Sequence, residues 1–143
     1  MSDNAIEILL VEDNPNDVKL AIHAFQKHHL ANAIHVARDG EEAFDFLFSP
    51  SAEASQPKLV LLDLKLPKVD GLEVLKRIKV DPRTRTIPVV VMTSSQEESD
   101  LVEGYHLGAN SYLVKPIDFE QFIEVIRHIG YYWLLLNRPI PVA

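Results

Sequence analysis

The sequence predicts an α/β fold, a parallel five-stranded sheet covered on both faces by helices. Five short apolar runs, at residues 6–11, 33–37, 59–62, 89–92 and 112–114, recur along the 143 residues. The longer stretches between them carry apolar residues at helical spacing, the pattern of repeated βα units. The runs are close to continuously apolar, as strands buried on both faces require.

Each element has a local reason. After the first run, Asn14-Pro15 offers a cap and a first-turn proline for a helix carrying Val18, Leu20, Ala21, Ile22 and Phe25. After the second, Asp39-Gly40 opens a helix through Ala43, Phe44 and Leu47. Residues 49–58, rich in Ser, Ala and Pro, read as a surface loop to which no function is assigned. Gly71 opens a third helix carrying Leu72, Val74, Leu75 and Ile78, and Pro82 stops it near Asp81 by restricting the residue before it. A fourth helix is expected over residues 97–106, with Gly108 to end it. Asp118 and Gln121 form a capping box for a fifth.

That fifth helix carries more apolar surface than one packing face uses. Phe119, Phe122, Ile123 and Ile126 form a stripe, and Val125, Ile129, Tyr132 and Leu136 extend it sideways beyond the roughly 100° that packing requires. The excess runs on through Trp133 and its neighbours, an aromatic-leucine segment that reads as an interface. A homodimer through the fifth helix and this tail is expected.

Composition excludes several classes. With 47% hydrophobic residues, 143 residues suit one domain with a real core and leave no room for a second. A net charge of −7 argues against nucleic acid as a partner, because neutralising phosphates takes a basic surface. The absence of cysteine removes disulfides, thiolate metal sites and cysteine nucleophiles. The first residues lack the basic and long apolar regions of a signal peptide, and no run approaches the ~20 residues that span a bilayer. A cytoplasmic location without membrane contact is expected.

In open parallel sheets, ligands bind beyond the carboxyl ends of the strands. Glu12 and Asp13 follow the first run, Asp63 the third, Thr93 the fourth and Lys115 the fifth. Each has an ordinary role when taken alone, such as capping the next helix or ending a strand. Together they place three mutually repelling carboxylates and a cation on one rim. A hard divalent ion such as Mg²⁺ answers that repulsion with oxygen ligands. Asp63 would then serve as a nucleophile toward phosphorus, with Lys115 and Thr93 offsetting the charge of the transferring group.

Val11-Glu12-Asp13-Asn14, Leu62-Asp63-Leu64-Lys65-Leu66-Pro67 with Gly71, Val91-Met92-Thr93-Ser94 and Tyr112-Leu113-Val114-Lys115-Pro116 together resemble the receiver domain of two-component response regulators. The resemblance covers nearly the whole chain, as a stand-alone receiver over residues 1–143 with a C-terminal extension from residue 131. It implies a flavodoxin-like (βα)5 three-layer sandwich of strand order 2-1-3-4-5. It also implies that Asp63 is the phosphoacceptor and that Glu12, Asp13, Asp63 and the Lys65 backbone carbonyl hold Mg²⁺. Thr93 and Tyr112 fall on the family's switch positions, and the Lys115-Pro116 bond is expected to be cis. By the same resemblance, Lys65 and Ser95 would flank the path of a hydrolytic water.

The implied partner is a sensor histidine kinase, whose histidine donates the phosphoryl group. The six histidines of this chain are scattered, with His28-His29 near a helix end. The tail, in which Asn137-Arg138-Pro139 follows the aromatic-leucine run, also resembles the small regulators paired with cyanobacterial and bacterial phytochrome histidine kinases. Such a protein catalyses its own phosphorylation and dephosphorylation without being an enzyme in the usual sense. Alternative outputs are a phosphorelay intermediate, a phosphate sink, or a binding and dimerisation module that works without phosphorylation. A phosphatase of the haloacid dehalogenase kind is disfavoured, because Lys65 stands where that family places its second aspartate.

Overall fold

The computed structural model describes residues 7–27, 33–49, 56–93, 105–114, 119–130 and 132–133, with the backbone alone for Thr93, Phe119, Phe122 and Ile129. Its elements are β1 (Ile8–Val11), α1 (Pro15–Lys27), β2 (Ile34–Ala37), α2 (Gly40–Phe48), β3 (Leu59–Leu62), α3 (Gly71–Val80), β4 (Val89–Thr93), β5 (Ser111–Val114) and α4 (Phe119–Gly130). All strand pairs are parallel and the order is β2-β1-β3-β4-β5, the flavodoxin-like sheet that was expected. The fifth predicted helix appears as α4. Of the fourth, only residues 105–106 are described; they are helical, and Gly108 ends the turn at φ 106° with its N–H on the Tyr105 carbonyl at 3.1 Å.

Alternation along the central strands feeds two cores. Ile8 and Leu10 of β1 face one way, with Leu59 and Leu61 of β3, and pack with Ala21, Ala24 and Phe25 of α1 and Ile123 and Ile126 of α4. Leu9, Val11, Val60 and Leu62 face the other way, onto Ala43 and Leu47 of α2 and Val74, Leu75 and Ile78 of α3. Both faces of β1 and β3 are therefore dry, which is why Ile8–Val11 and Leu59–Leu62 contain no polar residue. The edge strand β2 is half-buried over Ile34–Val36.

The starts predicted for the first three helices are present. Asn14 Oδ1 accepts the N–H groups of Asn16 (2.9 Å) and Asp17 (3.3 Å), satisfying two donors at the start of α1. Asp39 Oδ1 accepts the Glu42 N–H at 2.9 Å, and Asp70 Oδ1 the Leu72 N–H at 3.3 Å. Helix α3 stops at Val80, one residue before the Asp81-Pro82 pair. Below it the fully buried Thr84 donates its hydroxyl to the Ile78 carbonyl at 2.7 Å.

Of the predicted interface, Val125 and Trp133 are half-buried against the α1/α4 core, whereas Tyr132 is 49% exposed and meets Trp133 edge-on, with ring centroids 4.9 Å apart. A mostly apolar groove of about 400 Å³ runs between Ser111 and Leu113 of β5 and Val125, His128, Tyr132 and Trp133. Leu136, the Lys115-Pro116 bond, Asp118 of the capping box, Ser95 and His28-His29 lie outside the described residues. Among the described residues, no helix is long and apolar enough to cross a membrane.

Candidate functional site

Strand order places the site. The chain leaves β1 toward β2 on one side and returns to β3 on the other, so β1 and β3 flank the topological switch point where open α/β sheets bind ligands. Val11 and Leu62, the last residues of those strands, are register partners. The next residues, Glu12 and Asp63, consequently leave the sheet side by side. Asp13 joins them: carboxylate oxygens of Glu12, Asp13 and Asp63 all lie within 4.8 Å of one another.

Burial makes this cluster costly on its own. Glu12 is 4% and Asp63 6% exposed, while Asp13 faces solvent. Local N–H donors orient the two buried groups: Asn14 donates to Glu12 Oε2 at 3.2 Å, and Lys65 to Asp63 Oδ1 at 3.1 Å. These bonds stabilise the carboxylates without removing their mutual repulsion. A cation between them would. Three oxygen donors, two of them fixed and one open to water, suit a hard divalent ion that keeps part of its hydration shell. The Lys65 N–H bond also holds the loop against Asp63, so the Lys65 backbone stays beside the cluster.

Gly71 makes that loop possible. Its N–H donates to the Leu64 carbonyl at 3.1 Å, and a β-carbon on Gly71 would lie 2.4 Å from Leu64 Cα and 2.5 Å from the Asp63 carbonyl oxygen. Only glycine fits between α3 and the backbone that follows Asp63.

Thr93 closes β4 and is the register partner of Val114, the residue before Lys115. Lys115 itself lies outside the described residues. Tyr112, on β5, is half-buried, packs toward the α2/α3 core and lies 6.3 Å from the Tyr105 ring, centroid to centroid. One acid escaped the sequence reading: Asp17, in the first turn of α1, lines a small cavity of about 10 Å³ together with Glu12, Asp63, Ala21 and Met92. That is room for about one water. Its spacing of one helical turn from Asp13 was the available signal.

The family described as the response regulator receiver domain matches residues 8–127. The probable methanogenesis regulatory protein FilR2 of Methanothrix harundinacea is 46% identical over 132 residues, covering 92% of this chain and 85% of that protein. Response regulator Rcp1 of Synechocystis is 38% identical over 129 residues, covering 89% and 88%. The crystal structure of the Mn(2+)-bound form of Rcp1 superposes with a TM-score of 0.87 at 37% identity, over 95% of this chain and 99% of that one. That of the phosphorylated cyanobacterial phytochrome response regulator RcpA does so at 0.88 and 37%, over 96% and 99%. A family match that begins with the first residue of β1 and ends inside α4, on a sheet of this order, assigns the chain: it belongs to the response regulator receiver domains of two-component signalling.

Proposed function

We propose that the chain is a response regulator that takes a phosphoryl group onto Asp63 from the phosphohistidine of a sensor histidine kinase, and so switches a protein-interaction surface. The observation that carries this reading is the convergence of Glu12, Asp13 and Asp63 at the switch point of the sheet. Glu12, Asp13, Asp63 and the Lys65 backbone carbonyl would hold Mg²⁺. When bound, the ion supplies positive charge against the phosphoryl oxygens.

Asp63 attacks through a carboxylate oxygen. The new O–P bond forms as the P–N bond of the donor breaks, and the electron pair returns to the imidazole nitrogen, which takes up a proton from water. An ionised carboxylate already presents its lone pair, so no general base is required. The Lys65 N–H and the buried wall of β1 and β3 orient Asp63 before the donor arrives. The Lys115 ammonium and Thr93 hydroxyl are assigned to the transferring oxygens. Thr93 and Tyr112 are assigned to the switch, the ring of Tyr112 turning inward as Thr93 engages the phosphoryl group.

The likeness to the phosphorylated cyanobacterial phytochrome response regulator RcpA supports a phytochrome histidine kinase as the partner. The exposed Tyr132 and the groove beside it support a homodimer through Val125, Ile129, Tyr132, Trp133 and Leu136. The charge of −7 supports a protein partner over nucleic acid, and the cytoplasm is the compartment of this reading. The chain acts on itself, with no free substrate to turn over.

Phosphoramidate, whose P–N bond mimics phosphohistidine, tests the reading. With Mg²⁺ it should leave a hydroxylamine-sensitive acyl phosphate on the peptide containing Asp63. A phosphoryl group mapped to a histidine or hydroxyl side chain would overturn it.

A further inference from the structure

The loop that follows Asp63 bends at Lys68, whose φ of 66° lies in the left-handed region. The Val69 N–H donates to the Pro67 carbonyl at 2.8 Å, an i to i+2 bond. Lys68 is therefore the centre of a γ-turn of the positive-φ kind, which is rare and strained. A residue with a β-carbon stays there only where its surroundings hold it.

The hold comes from the start of α2. Lys68 Nζ lies 3.5 Å from Asp39 Oδ2 and 3.6 Å from Glu41 Oε2. Val69 sits so close to α2 that a β-carbon on Gly40 would be 2.5 Å from Val69 Cβ. Asp39 is a firm anchor, 7% exposed and fixed through its other oxygen by the Glu42 N–H. The carboxylates, Asp39 foremost and then Glu41, raise the Lys68 pKa above that of an ordinary lysine. The turn lies between the two bonds that shape the candidate site, Lys65 N–H to Asp63 Oδ1 and Gly71 N–H to the Leu64 carbonyl.

Glycine would adopt this turn without strain. We infer that Lys68 is a positioning residue: its pairing with Asp39 and Glu41 holds the strained γ-turn, and with it the loop that presents the Lys65 carbonyl to the divalent cation. This rests on the reading of Glu12, Asp13 and Asp63 as the cation and phosphoryl site. An exposed ion pair contributes little stability in itself. Here it selects between loop arrangements, and a loop that is competent only part of the time weakens apparent affinity by that fraction.

The test is Mg²⁺ titration of the full chain, followed by backbone amide shifts, for wild type, Lys68→Ala, Lys68→Gly and Lys68→Arg. Alanine keeps the strain and loses the pair, so its Mg²⁺ affinity should fall by about threefold to tenfold. Glycine loses both, so it should stay within about twofold of wild type, and arginine should match wild type. Phosphoryl uptake from acetyl phosphate should fall in Lys68→Ala at low Mg²⁺ and recover when Mg²⁺ saturates. Wild-type affinity in Lys68→Ala would overturn the inference, whatever its melting temperature. Equal weakening in the alanine and glycine variants would overturn it too, because the side chain would then act by some route other than holding the turn. A wild-type chain that binds no Mg²⁺, or an Asp63→Asn chain that still takes up phosphoryl, would instead sink the underlying reading and this inference with it.

Discussion

The backbone N–H of Asp63 donates to the carbonyl of Val11 at 3.0 Å. This bond continues the β1–β3 ladder one step past the strands, where Val11 and Leu62 are register partners. It sets Asp63 beside Glu12 by backbone geometry, before either side chain makes a contact. A slip of one residue would turn Asp63 to the opposite face of the sheet. The acid cluster is thus a product of sheet register, and its consequences can be measured.

Asp63→Asn should abolish phosphoryl uptake and stabilise the chain when divalent cations are absent. The amide oxygen can still accept the Lys65 N–H, while one of three carboxylates grouped within 4.8 Å is gone. Relief of that repulsion should be on the order of 1 kcal/mol, or roughly 2–4 °C in Tm. Thermal unfolding in EDTA checks this; an unchanged or lower Tm would contradict the electrostatic account.

Gly71→Ala should be costly out of proportion to one methyl group. The added carbon would meet backbone at 2.4 and 2.5 Å, which cannot rotate away as a side chain can. The loop must move, at about 1–3 kcal/mol, and phosphoryl uptake should slow with it. Urea midpoints alongside uptake rates from a small phosphodonor would show both losses; an alanine variant with wild-type uptake would show that the loop's fit is not needed.

Sequence made the main site legible because register and hydrophobic patterning did the placing. Glu12-Asp13 and Asp63 each follow an apolar run, and parallel strands of equal length bring such ends together. Lys68 and Lys79 were not legible. Positive φ is ordinarily signalled by glycine, and neither the pairing of Lys68 with Asp39 nor that of Lys79 with Asn110 follows any periodicity, since each joins residues far apart in sequence. The apolar pattern predicts a second strand from Ala33, whereas β2 begins one residue later, at Ile34.

Lys79 gives a pH-dependent prediction. Its ammonium donates to the carbonyls of Ile87 (2.7 Å) and Arg85 (3.3 Å) and to Asn110 Oδ1 (3.1 Å), tying α3 to the entries of β4 and β5. Lys79→Met should therefore cost about 1–2 kcal/mol at neutral pH. Burial pushes the amine down to about 8 from 10.5. Between those values the unfolded chain binds more protons than the folded one, so this group's contribution to stability rises with pH across that window, and its burial cost is fully present below pH 8. The stability gap between wild type and Lys79→Met should widen from pH 7.5 to 10 in urea unfolding. A narrowing gap would mean that the three hydrogen bonds to the charged form outweigh its burial.

Tyr132→Glu should leave the chain folded but abolish the proposed dimer, lowering Tm only by the stabilisation that association itself contributes. Tyr132 is half-exposed, so its own fold loses little, whereas a charge in an apolar interface is strongly disfavoured. Light scattering at micromolar concentration checks this. A wild-type chain that is monomeric both before and after phosphorylation would contradict the proposed interface.

The most direct test of the phosphoacceptor is intact mass after incubation with acetyl phosphate, with and without Mg²⁺, for wild type and Asp63→Asn. The account predicts a gain of one phosphoryl group that requires both Mg²⁺ and Asp63. No gain in wild type, or an equal gain in Asp63→Asn, would contradict it.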